Sequence, residues 1–193
     1  MSQTTRLLAF AGSSRKDSFN KILVKVAAGG ARAAGADVTF LDLKDYPLPI
    51  FDEDLEKAQG LPENAKKLKK MFIESHGFLI ASPEYNSSIS GLLKNTIDWL
   101  SRPNEGEASL AAFQGKVAAL LSASPGALGG LRGLVHLRSI LGNIGVIVLP
   151  EQIAVSKAQE AFTGDGRLID SKRQGIVEEI GKKVFVTASK LLA

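Results

Sequence analysis

Residues 6–20 read RLLAFAGSSRKDSFN. A short apolar run ends at Gly12 and a polar turn follows. From Ser18 onward Ile22, Leu23, Val26 and Ala27 recur on one helical face until Gly35. The first piece predicts a buried strand, the second an amphipathic helix. Strand and helix then alternate down the chain. Residues 37–43 alternate as a second strand; 77–82 (GFLIAS), 116–123 (KVAALLSA) and 146–149 supply three more, the last cut by Pro150. Helical patterns fall at 62 to about 76, 90–102, 128–142, and from a cap at Asp170 along Ile176, Val177, Ile180, Val184 and Leu191. Residues 45–60, with Pro47, Pro49 and several acids, read as a long surface loop. Near-continuous apolar strands imply burial on both faces, hence a parallel sheet covered by helices. One doubly wound α/β domain over residues 1–193 is the expectation.

Composition closes off several chemistries. There is no cysteine, so thiolate catalysis and cysteine-ligated metal are excluded, and two histidines, His76 and His136, make no multi-histidine site. Both histidines read as structural. Asp52, Glu53 and Asp54 read as solvated acids, and no metal is expected. The net charge of +4 suits anionic small molecules. Lys66, Lys67, Lys69 and Lys70 read as the wet face of an amphipathic helix, without the interleaved aromatics of a nucleic-acid surface. Trp99 is assigned to the core or a subunit contact. The opening MSQTTRLLAF lacks a secretion-signal pattern, and no apolar run approaches the ~20 residues of a membrane span. A reduced cytoplasmic compartment is the expectation.

In an open parallel sheet, ligands sit at the carboxyl ends of the strands. After the first strand, Gly12–Asn20 offers three serine hydroxyls, an amide, Arg15 and Lys16 where a helix begins. Unpaired amides at the positive end of a helix attract an oxyanion, and an arginine fork suits phosphate. Neither G-x-x-x-x-G-K-[ST] nor G-x-G-x-x-G occurs. After the third strand, Ser82-Pro83-Glu84-Tyr85-Asn86 presents backbone amides and one ring. After the fourth, Ser122-Ala123-Ser124-Pro125-Gly126 is small and polar, with Gly129 and Gly130 following. Three such loops at one sheet edge suit a ligand with a phosphate tail and a flat head better than a nucleophile–base pair.

These segments together resemble the NADPH-dependent FMN reductase family, of flavodoxin-like fold. The first match is Gly12–Asn20 against G-S-x-R-x-x-S-x-N. The second runs from Ser82-Pro83-Glu84-Tyr85-Asn86 through Gly91–Arg102. Gly129-Gly130 and His136-Leu137-Arg138 add a third, with Val135 where relatives often carry an aromatic. The pattern is most similar to the branch with bacterial chromate reductases and NAD(P)H:quinone reductases. The resemblance implies a five-stranded sheet in the order 2-1-3-4-5 and a bound FMN. Ser13, Ser14, Arg15, Ser18, Phe19 and Asn20 would hold its phosphate. Pro83, Glu84, Tyr85 and Asn86 would frame the isoalloxazine ring, with Ser124 on its other side. It further implies ping-pong hydride transfer from NADPH or NADH to a small-molecule acceptor such as a quinone, chromate or an azo dye, with no catalytic side chain. A homodimer or homotetramer is expected, its contacts formed by the helices around 94–101 and 131–141. Three other readings stay open at this level: a flavodoxin-type electron carrier, a reductase that releases reduced FMN to a monooxygenase, and a phosphate-binding module without turnover.

Overall fold

The computed structural model describes residues 4–104 and 106–192. Its first half runs β1 (Arg6–Ala11), α1 (Phe19–Ala33), β2 (Asp37–Leu41), α2 (Glu53–Gln59), α3 (Glu63–Glu74) and β3 (Gly77–Ala81). A short hairpin follows, β4 (Glu84–Tyr85) and β5 (Ser88–Ile89), and then α4 (Gly91–Ser101). The second half runs β6 (Val117–Ala123), α5 (Leu131–Asn143), β7 (Ile147–Val155) and α6 (Ser171–Leu191). The five long strands form one sheet in the order β2-β1-β3-β6-β7, and every pairing in it is parallel. Counting only these strands, that is the order 2-1-3-4-5 of the flavodoxin-like fold, as expected.

Side chains alternate across a strand, so each central strand feeds two cores. In β1, Leu7, Ala9 and Ala11 join α1 and α6 on one face, while Leu8 and Phe10 join α3, α4 and α5 on the other. The chain leaves β1 toward β2 on one side and later returns to β3 on the other, which makes the carboxyl end of β1 the switch point of the fold. Among the described residues, no helix is long and apolar enough to cross a membrane.

Four local expectations need correction. The stretch 45–60 contains α2, because Asp52 accepts from Asp54 N–H and Leu55 N–H and so caps a helix. Pro150 does not end the last strand. β7 continues to Val155 through an irregularity in which residues 149–151 stand opposite Ala119 alone. An edge strand tolerates this, since a proline's missing donor can face away from the ladder. Lys69 is buried, not on the wet face, donating to the Arg102 carbonyl and pairing with Glu107. In α6 the apolar stripe splits: Val177, Ile180 and Val184 are buried, whereas Ile176 and Leu191 are exposed. Trp99 settles in the core, its Nε1–H donating to Pro49 O at 2.8 Å.

The α1–α6 contact includes two close approaches, at Gly30 against Glu178 O and at Gly181 against Ala27 O. A Cβ built on Gly181 would lie 1.9 Å from Ala27 O, so the two helix backbones touch there. Gly181→Ala should therefore force the helices apart and cost about 1–3 kcal/mol, despite alanine's better helix propensity. Urea denaturation checks this; a midpoint equal to or above wild type contradicts it.

Candidate functional site

The loop after β1 is fastened before it opens. Gly12 N–H donates to Ala81 O at 2.9 Å, and Gly12 O accepts from Ser90 Oγ at 2.6 Å. Ser90 also caps α4 by accepting from Leu93 N–H. Ser13 is buried and its Oγ accepts from Arg15 N–H, while Ser14, Arg15, Lys16 and Asp17 are exposed. Ser18 is the N-cap residue of α1, buried, yet its side chain makes no capping bond, and no acid lies in the helix's first turn. The leading amides of a 15-residue helix thus lie uncapped beyond the carboxyl end of β1, with the exposed Arg15 and Lys16 just before them in the chain. This donor set fits a phosphate dianion.

Asn20, the second residue of α1, is bound to the sheet. Its Nδ2–H donates to Ala123 O and its Oδ1 accepts from Ala123 N–H, both at 2.9 Å. Both polar atoms of the amide are engaged by β6, so its side chain joins the first loop to the fourth strand. Nearby, Ser122 Oγ donates to Ser82 O at 2.7 Å, joining the end of β6 to the loop after β3. Three side-chain clips therefore lace the carboxyl ends of β1, β3 and β6 together. Phe19, half-buried, lies parallel to Phe162 with ring centroids 6.1 Å apart, so the segment after β7 supports the phosphate-side loop.

The opposite wall is the β4–β5 hairpin, which the sequence shows only as a loop. Asn86 and Ser87 both take positive φ, 51° and 66°, the geometry of a two-residue type I′ turn. Pro83 is buried before the hairpin, and Tyr85 projects from it, 52% exposed. Glu84 commits its carboxylate to the start of α5, accepting from Gly133 N–H at 3.0 Å and pairing with Arg132. Only its backbone can frame a ring. Ser124 donates its N–H to Val155 O and accepts from Ala158 N–H, while its Oγ accepts from Gly126 N–H. Gly130, with φ 93°, starts α5 so close to Ser122 that a Cβ would lie 1.9 Å from Ser122 Oγ.

Each histidine ring makes one hydrogen bond within the fold. His76 Nδ1 accepts from Arg6 N–H at 2.9 Å; burial, with Arg6 and Lys116 nearby, holds its pKa below the ordinary value. His136 Nδ1 shares a hydrogen bond with Ser88 Oγ at 2.9 Å. Among the described residues, no group of three or more acids or histidines could hold a metal ion.

The expected residues thus gather at the carboxyl edge of the sheet: Ser13, Ser14, Arg15 and Ser18 after β1, Pro83–Asn86 after β3, and Ser124 after β6. Asn20 and Phe19 support the first of these from behind. Sequence reading missed Ser122, Phe162 and Arg132–Gly133 as parts of the site. Only Ser122 stood in a quoted loop.

A model of the NADPH-dependent FMN reductase family matches residues 5–160. The chain belongs to that family. It is 35% identical over 180 residues to the NAD(P)H-dependent FMN reductase of Pseudomonas aeruginosa, covering 93% of this chain and 92% of that one. It is 33% identical over 183 residues to the quinone reductase of Escherichia coli, covering 93% and 92%. A solved structure of FerB, a flavoenzyme NAD(P)H:(acceptor) oxidoreductase from Paracoccus denitrificans, superposes with a TM-score of 0.81 at 30% identity, covering 97% and 98%.

The clip at Asn20 is open to direct test. Asn20→Ala leaves the N–H and C=O of Ala123 unpaired in a buried place, which should cost about 1–3 kcal/mol. Chemical denaturation would measure the loss; wild-type stability would contradict the lacing described above.

Proposed function

We propose that this protein is an FMN-dependent oxidoreductase that takes hydride from NADPH or NADH and passes reducing equivalents to a small-molecule acceptor such as a quinone. The observation that carries the reading is the uncapped start of α1, preceded by Arg15, at the same carboxyl edge of the sheet from which the β4–β5 hairpin rises. Residues 1–193 act in this proposal as a single FMN-binding domain. The names of the P. aeruginosa, E. coli and P. denitrificans relatives support the donor and the acceptor class.

In this reading Ser13, Ser14, Arg15 and Ser18, with the first amides of α1, hold the FMN phosphate. The backbone around Pro83–Asn86 meets the ring edge, Tyr85 packs on it, and Ser124 lines the other wall. Bound FMN supplies hydride acceptance and release, so the protein needs no acid–base side chain at that step. What the chain contributes is position, and preorganised N–H donors placed where negative charge develops. Turning the Glu84 carboxylate toward α5 keeps a fixed negative charge off that wall. A homodimer or homotetramer is proposed, with Leu128, Leu131 and Val135, exposed beside the hairpin, in the contact.

An anaerobic NADPH titration of the FMN-loaded protein tests the reading. The visible flavin band should bleach and return when benzoquinone is added. A band that NADPH leaves untouched would contradict the oxidoreductase assignment and favour a carrier.

A further inference from the structure

Helix α5 begins at Gly130, which has no side chain to cap it, and no acid lies in its first turn. Its missing cap comes from elsewhere in the chain. Glu84, on the hairpin, accepts from Gly133 N–H, the third amide of the helix, at 3.0 Å. Its other oxygen accepts from Arg132 Nε at 3.2 Å. The Glu84 side chain is 11% exposed, against 60% for Arg132. A carboxylate at that place meets the positive end of the helix and an unpaired donor together.

The hairpin has few other restraints. Its two strands are two residues each, and an isolated two-stranded ribbon is marginal on its own. Its turn residues sit in the left-handed region, which asparagine tolerates but which Ser87 adopts at a cost. A Cβ on Gly133 would lie 3.1 Å from Ser88 O, so the ribbon rests directly on α5. Ser88 Oγ adds its bond to His136.

We infer that Glu84 is a positioning residue: by capping α5 from the neighbouring loop, its carboxylate sets where the hairpin backbone stands over the crevice. The inference rests on the FMN reading of that crevice. The buried acceptor at Gly133 N–H carries the effect, and the exposed ion pair with Arg132 carries little, because solvent screens it.

The test is FMN binding to apoprotein, followed by flavin fluorescence and by visible circular dichroism of the bound flavin, with far-ultraviolet dichroism as the control for folding. E84A should raise the FMN Kd about five- to tenfold and alter the visible spectrum. E84Q, whose amide oxygen can still accept from Gly133 N–H, should return Kd to within about threefold of wild type. If E84A fails to fold, Glu84→Asp, which keeps the charge on a shorter arm, should show the same loss. Unchanged Kd and spectrum in E84A, or in Glu84→Asp where that variant stands in, would overturn the inference even if melting temperature fell. So would E84Q behaving like E84A. If wild-type apoprotein itself fails to bind FMN, the reading of the crevice fails and this inference falls with it.

Discussion

The amide of Asn20 and the backbone of Ala123 hold the site in one piece. In an open parallel sheet the ladder aligns the loops for only a residue past the strands, as in Gly12 N–H to Ala81 O and Ser124 N–H to Val155 O. Asn20 adds a two-bond clip from the first turn of α1 to the last residue of β6. Ser90 ties α4 to Gly12, and Ser122 ties β6 to Ser82. Each is a small polar side chain buried against backbone, where an unmade bond is expensive. The loops that would touch a ligand are thereby fixed relative to one another before the ligand arrives.

Charge is arranged with the same economy. Lys21, in the first turn of α1, is buried and committed to Asp42 at 2.6 Å. Burial works to raise the Asp42 pKa, but hydrogen bonds from Lys21 and Lys44 N–H, with their positive charges, outweigh it and leave it lowered. Lys21 is accordingly neutralised by its partner. Arg15 and Lys16 remain exposed at the crevice, and Glu84, the acid closest in sequence to the other wall, is spent on α5. An anion at the helix end meets unpaired donors and exposed cations.

Most of this was legible from residues. Strand periodicity, Gly35 closing α1, Ser90 opening α4 and Asp170 capping α6 are local signals, and they placed the strands and helices, while the sheet order followed from the resemblance to the family. What escaped reading depends on the third dimension. Pro150 looks like a strand stop until β7 is known to be an edge strand. Lys69 looks solvated until Glu107 and the Arg102 carbonyl arrive from distant sequence. The acids at 52–54 looked like loop, although Asp52 followed two residues later by an amide it can cap was a readable helix start. The hairpin at 84–89 is too short for periodicity to register. The roles of Asn20 and Glu84 needed coordinates, because both face backbone that is far away in the chain.

The central claim is that the loop after β1, held in register by these clips, is a phosphate cradle at a helix end. Comparing FMN with riboflavin tests it most directly, since the two ligands share the ring and differ in the phosphate. Titration of apoprotein with each should show FMN binding at least about 100-fold more tightly, the worth of one or two charge-assisted contacts. Equal affinity for the two would contradict the account.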